Sequence, residues 1–174
     1  FTNNGRAAIA WAESDDNYCY IVTVGNVQFD GQTYGGGSLT GLYRSTDAGQ
    51  TFTQEVGQMS QFFAPFTYIG LQAQGLYDIA LGVHPRNKDR VFIGGILFAE
   101  WSLLDGPKIV GNTFNSPRNP YGIHSDKHLI TFDNTGEDPI MYICSDGGVA
   151  RTTTPELDQY KNISTNLSTT QFFG

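Results

Sequence analysis

Three carboxylates and a pair of histidines are the residues of this chain best suited to chemistry. His124, Asp126 and His128 are spaced i, i+2, i+4. On an extended strand those side chains share one face, and two imidazoles with a carboxylate make a workable divalent-metal set. The alternative is a polar network in which Asp126 orients a histidine or binds backbone N–H groups; that reading is preferred, and no cofactor is expected. Asp146 stands before Gly147 and Gly148 at the end of an apolar run. Glycine there lets a ligand or another backbone come close, so Asp146 is a candidate acid/base carboxylate or polar-ligand contact. Its competing role is a turn carboxylate that caps its own backbone. Asp78, opening the run Ile79–Val83, is the second candidate. Glycoside hydrolysis needs two carboxyl groups about 5–9.5 Å apart, which makes Asp146 and Asp78 the catalytic pair to examine.

A third candidate is aromatic. Gln61–Gly70 carries Phe62, Phe63, Phe66 and Tyr68. Such a loop stacks on sugar rings or docks on a protein partner; the alternative is a cap folded over a neighbouring sheet. Leu103–Tyr121, rich in Gly, Pro and Asn, reads as a long surface loop.

The elements that must position these residues repeat. Ala7–Ala12, Asp78–Val83 and His128–Phe132 are short apolar runs, each followed by a turn rich in Asp, Asn or Pro. A second run then follows with a central aromatic, at Tyr20, Phe92 and Tyr142. Each unit reads as two antiparallel strands. Two more strands complete the first unit through Gly41–Gln54 and the third through Gly147–Ile163. A period near ~40–50 residues is that of radial β-sheet blades, and an insertion lengthens the first interval. Gly or Pro interrupts nearly every window of helical length, so the chain reads as all-β.

One turn is distinctive: Ser45-Thr46-Asp47-Ala48-Gly49-Gln50-Thr51-Phe52. Asp47 is placed to accept hydrogen bonds from the N–H groups of its own turn, Gly49 to take a positive φ, and Phe52 to anchor the turn on the core. The spacing Ser-x-Asp-x-Gly-x-Thr-Phe resembles an Asp-box, the structural repeat of sialidase-like β-propellers. Asn4–Ala10, the pair His124–His128 with Ser145–Val149, and Asn166–Phe173 resemble further landmarks of secreted Bacteroidetes proteins with BNR/Asp-box repeats. That group is similar to xyloglucanase-like hydrolases and sortilin-type receptors.

The resemblance implies a partial β-propeller of about three four-stranded blades plus the first strand of another. Residues 1–60 form a blade with the Asp-box, 61–77 the aromatic insertion, 78–123 a second blade with a long loop, 124–165 a third, and 166–174 the start of the next. The partners expected first are the remaining blades of the same propeller. The function implied is a secreted or cell-surface binding or structural module for glycan or protein ligands. The alternative is part of a xyloglucanase-like glycoside hydrolase. Fold alone does not choose between them. A sialidase needs several arginines converging on a substrate carboxylate, and no such triad is identifiable among the six arginines here.

Composition narrows the partners. Net charge is −7 with 16% charged residues and no basic run, which argues against nucleic acid. No apolar run has membrane-spanning length. The chain begins with Phe1 rather than Met, as in a processed or truncated product. Cys19 and Cys144 fall at different places in the repeat and read as two thiols rather than a disulfide. Asn162-Ile163-Ser164 and Asn166-Leu167-Ser168 match the glycosylation pattern, a coincidence in a bacterial surface protein.

Overall fold

A computed structural model describes residues 4–29, 31–58, 63–67, 73–110, 122–155 and 159–164. It is all-β, with three four-stranded antiparallel sheets. Sheet 1 holds β1 (Asn4–Trp11), β2 (Cys19–Phe29), β3 (Gln32–Ser45) and β4 (Thr53–Val56). Sheet 2 holds β5 (Ala80–His84), β6 (Asn87–Gly94), β7 (Phe98–Ser102) and β8 (Gly106–Ile109). Sheet 3 holds β9 (Lys127–Asp133), β10 (Ile140–Ser145), β11 (Gly148–Thr152) and β12 (Lys161–Asn162). Each is a simple meander, and β5 contacts both β1 and β9. No helix among the described residues is long and apolar enough to cross a membrane.

The three sheets repeat in register as well as in order. A small residue on the first strand faces an aromatic on the second in Ala10↔Tyr20, Gly82↔Phe92 and Thr131↔Tyr142. One position away, aliphatic pairs recur on the opposite face: Ile9↔Ile21, Leu81↔Ile93 and Ile130↔Ile143. Successive side chains of a strand point to opposite faces, so each sheet has a face bearing the central aromatic (its aromatic-bearing face) and a face bearing the aliphatic pair (its aliphatic face), on which Trp11, Trp101 and Phe132 also lie.

Packing follows from this alternation. Tyr20, Val22, Val24 and Leu42 of sheet 1 meet Leu81, Val83, Val91 and Ile93 of sheet 2. The other face of sheet 2, with Ala80, Phe92 and Phe98, meets Ile130, Met141 and Ile143 of sheet 3. The aromatic-bearing face of one sheet thus packs on the aliphatic face of the next. Sheet 2 is covered on both sides, which is why β7 is buried throughout. Each fully buried Phe or Ile contributes about 1.5–3 kcal/mol, and only a layer between two others buries apolar residues on both faces. Small residues admit the close approach: a Cβ on Gly82 would lie 2.7 Å from the Ile130 side chain.

The turns that close β3, β7 and β11 share a device. Each strand ends in a buried hydroxyl residue, Ser45, Ser102 or Thr152. Ser45 Oγ accepts from the Gly49 N–H at 2.9 Å and donates to Asp47 Oδ1 at 2.7 Å. Ser102 Oγ accepts from the Asp105 N–H at 3.0 Å, and Thr152 Oγ1 from the Thr154 N–H at 3.0 Å. In the first turn Asp47 also accepts from the Thr51 N–H at 2.9 Å and the Thr51 hydroxyl at 2.5 Å. Gly49 takes φ +84°. Phe52 is only half-buried and joins neither core cluster; the buried anchor of the turn is Ser45.

Two expectations need correction. Leu103–Tyr121 is not loop throughout, because Gly106–Ile109 is β8, paired with Ala99–Ser102. Pro107 is tolerated there because β8 is an edge strand. The β2–β3 hairpin also runs past the repeated unit, pairing as far as Phe29↔Gln32. Cys19 and Cys144 are free thiols in separate sheets. The expected strand at 166–174 lies outside the described residues.

Candidate functional site

The site forms at the end of the sheets where β5 and β9 begin, opposite the end that carries the Asp47 turn. Its position depends on glycine. Gly36 and Gly37 adopt φ of +78° and +96° in β3. Their carbonyls accept from the Leu76 and Gly75 N–H groups at 3.2 and 3.1 Å. A Cβ on Gly36 would stand 2.0 Å from the Ala73 carbonyl oxygen, and one on Gly37 2.3 Å from the Leu76 nitrogen. Only glycine admits this contact. The Arg6 guanidinium then donates to the Leu76 and Tyr77 carbonyls at 3.0 and 2.7 Å. Segment 73–77 is thereby fixed against sheet 1, and Tyr77 projects toward sheet 3.

Tyr77 meets two residues distant in sequence. Its hydroxyl lies 3.3 Å from Asp146 Oδ2, and its ring meets that of His128 edge-on at 5.0 Å. His128 Nε2 lies 2.7 Å from Asp146 Oδ1. A carboxylate only accepts, so Nε2 carries a proton in this contact. The three residues offer a phenol, an imidazole and a carboxylate on one surface, with Tyr77 45% exposed. Partial desolvation, then the charge of Asp146, raises the Tyr77 phenol above its usual range. That direction favours a hydrogen-bond donor over a phenolate nucleophile.

Beneath this surface lies a buried charge cluster. Asp78 and Lys127 are both fully buried. Burial, then the charge of Asp126, pushes the Asp78 carboxyl up to about 8. Neither Asp78 oxygen has a hydrogen-bond partner, and a buried carboxyl without one favours its neutral, protonated form. Lys127 Nζ donates to the Ile96 carbonyl at 2.7 Å. Burial pulls its ammonium down to about 7 against the attraction of Asp126 and Asp78. This cluster joins the segment before β5, the β6–β7 turn and the start of β9.

The structure brings Asp146 and His128 together but divides the other sequence candidates. Asp146 bonds to His128 and Tyr77, beyond its own turn. Asp78 is next to Tyr77 in sequence yet sealed from the surface. His124, Asp126 and His128 do not share a strand face, because β9 begins at Lys127 and Asp126 takes φ +59°. Among the described residues no group of three or more His, Cys, Asp or Glu side chains is placed to hold a metal. The His124 ring instead lies against Gly147, where a Cβ would stand 2.5 Å away. Phe63 and Phe66 are buried between sheets 1 and 2 and offer no face to a ligand. They form a local cap, with the Leu97 N–H donating to the Pro65 carbonyl at 2.9 Å. Phe62 and Tyr68 lie outside the described residues.

Tyr77 and Lys127 escape a reading of the sequence. Tyr77 sits in no motif, and the Gly35-Gly36-Gly37 run that docks its segment is the one signal available. Lys127 opens a strand whose centre, Leu129-Ile130-Thr131-Phe132, is mostly apolar, a weak sign of a buried charge. A separate open groove of about 520 Å³ lies at the opposite end of sheet 2, lined by Arg90, Glu100, Leu104 and Lys108. Within it Arg90 Nε lies 2.8 Å and Lys108 Nζ 3.6 Å from Glu100 Oε1. Comparison with family models, curated proteins and solved structures finds no match.

Proposed function

We propose that this chain is an arc of an Asp-box β-propeller, secreted or displayed at a cell surface, that binds a glycan at Tyr77, His128 and Asp146. The single observation that carries the binding role is the convergence of these residues at one exposed surface. They come from a docked segment, a strand and a strand-connecting turn. A carboxylate that accepts from sugar hydroxyls beside an aromatic ring suits a carbohydrate. The chain's net charge of −7 favours a neutral glycan over an acidic one. The propeller reading draws support from the register pairs repeated in three sheets and from β1, β5 and β9 standing side by side. Further blades complete the ring, since three do not close one.

The hydrolase alternative needs a second accessible carboxylate near Asp146. Asp78, the partner carboxylate offered by the sequence, is fully buried, which removes the Asp146–Asp78 pair. A panel of neutral and acidic polysaccharides, assayed for binding and for release of reducing ends, tests both readings. Binding of a neutral glycan that is lost in Asp146→Asn and Tyr77→Phe, with no hydrolysis, is the expected result. Hydrolysis that vanishes in Asp146→Asn would establish the alternative, and binding unchanged in both variants would remove the site.

A further inference from the structure

We propose that Tyr77, His128 and Asp146 form a binding site for ferric iron. The ligands are the Tyr77 phenolate, His128 Nε2 and an Asp146 carboxylate oxygen. The inference uses the side chains of the glycan reading above and goes beyond it by naming a metal that this surface holds with or without a sugar.

The argument starts from donor spacing. Asp146 Oδ1 stands 2.7 Å from His128 Nε2 and 3.4 Å from the Tyr77 hydroxyl, and Oδ2 stands 3.3 Å from that hydroxyl. Metal bonds of about 2.0–2.2 Å leave neighbouring ligand atoms about 3 Å apart. His, Cys, Asp and Glu side chains alone make no three-ligand set among the described residues; the phenol supplies the third donor.

Each donor is held on its own support. Tyr77 ends the segment that Gly36, Gly37 and Arg6 fix to sheet 1. His128 lies in β9. Asp146 sits in the turn closed by the Ser145↔Gly148 pair, and its N–H donates to the Asp126 carbonyl at 3.3 Å. Exposed ion pairs contribute little to stability, so this bracing gains the fold little, whereas a metal needs its ligands held in place. All three side chains reach solvent: Tyr77 is 45% exposed, and the side chains of His128 and Asp146 are 34% and 21% exposed. An ion can therefore enter, and positions remain for water or sugar hydroxyls.

The surrounding charge is negative. Partial desolvation, then the charge of Asp146 with that of Asp126 behind it, raises the Tyr77 phenol. A field that opposes a bare phenolate attracts a cation placed beside it. Lys127 Nζ, the buried cation nearby, donates to the Ile96 carbonyl.

The donor types select the metal. Two anionic oxygens with one imidazole and no thiolate suit a hard ion that also accepts nitrogen, whereas calcium and magnesium take oxygen sets. In the secreted setting proposed above iron is oxidised, and a phenolate with a carboxylate offsets two of its three charges. On binding, the phenol and Nε2 give up their protons to solvent, and Nδ1 carries the one that the neutral ring keeps.

Titration of the chelator-treated chain with ferric nitrilotriacetate tests the inference. The expected result is one iron per chain and a visible phenolate-to-iron charge-transfer band. Tyr77→Phe should abolish the band, and Tyr43→Phe, near the Asp47 turn at the far end of β3, should leave it unchanged. His128→Ala and Asp146→Asn should keep the band at excess iron but weaken affinity more than about tenfold, since even an outer-shell partner is worth that much. Circular dichroism of each variant should match the wild type, because all three side chains are at the surface. Absence of the band overturns the inference, as does a band that survives in Tyr77→Phe, or uptake of zinc without iron. Glycan binding measured on the same samples separates the two proposals. Iron held by a chain that binds no sugar leaves the metal site standing, and sugar bound by a chain that takes up no iron leaves only the glycan site.

Discussion

The hydroxyl of Tyr77 stands 3.3 Å from Asp146 Oδ2, so the segment leading into sheet 2 touches the β10–β11 turn of sheet 3. The contact depends on the two sheets being side by side. It also leaves one carboxylate shared between a phenol and an imidazole, since His128 Nε2 occupies Oδ1 at 2.7 Å. Tyr77→Phe and Asp146→Asn are each expected to weaken binding of a neutral glycan by about tenfold, the size of one charge-assisted hydrogen bond. The double variant should lose less than the product of the two, because the residues share a bond. Titration of the four proteins measures the coupling; full multiplicativity would show that the pair does not act together.

The glycine run at 35–37 holds this geometry. Gly36→Ala forces a Cβ toward the Ala73 carbonyl and requires an alanine at φ +78°. It is expected to destabilise the fold by about 2 kcal/mol or more. Gly31 has φ +72° with nothing within 4 Å of an added Cβ, so Gly31→Ala should cost only about 1 kcal/mol of backbone strain. Urea denaturation compares the two, and equal losses would mean that the docking of segment 73–77 contributes nothing.

Burial of Asp78 predicts a particular pH dependence. Its folded pKa, about 8, stands above the ordinary aspartate value of 3.8. The folded chain therefore holds the proton more tightly, and stability falls as pH rises from about 4 to about 8. Asp78→Asn stays neutral and should flatten that decline. Lys127 acts in the opposite sense: with a folded pKa near 7 against 10.5, it makes stability rise between those values. Urea midpoints at several pH values between 4 and 7 isolate the Asp78 contribution. A variant with the wild-type slope would show that Asp78 does not carry it.

The Asp47 turn has its own acid limb. Hydrogen bonds from the Thr51 hydroxyl, the Thr51 N–H and Ser45 hold the carboxyl at about 2, below the ordinary aspartate value of 3.8. A depressed folded pKa gives stability that is present above about pH 4 and lost as pH falls through about 2. Asp47→Asn should melt at lower temperature than the wild type at pH 6, with the difference closing toward pH 2. Thermal melts across that range measure it, and a constant difference would mean that the charge itself is unimportant.

The extent to which sequence revealed this molecule differs between elements. The three strand pairs and their aromatics at 20, 92 and 142 were legible because alternation and turn residues act within a few positions. The register confirms those aromatics as equivalent. The Asp47 turn was legible for the same reason, since each side-chain hydrogen bond in it joins residues no more than four apart. β8 was less so, because a short edge strand containing Pro107 looks like loop until Trp101 is found beside it.

Amino-acid order alone determined the all-β repeat and the chemistry of the Asp47 turn, because both arise from contacts between near neighbours. Tertiary structure decided which carboxylate reaches the surface. It sealed Asp78 beneath sheet packing and joined Asp146 to His128 and Tyr77. It also buried Phe63 and Phe66, residues that a linear reading offers to a ligand. The physical reason is that exposure and pairing between distant residues depend on how whole sheets stack, which no local spacing encodes.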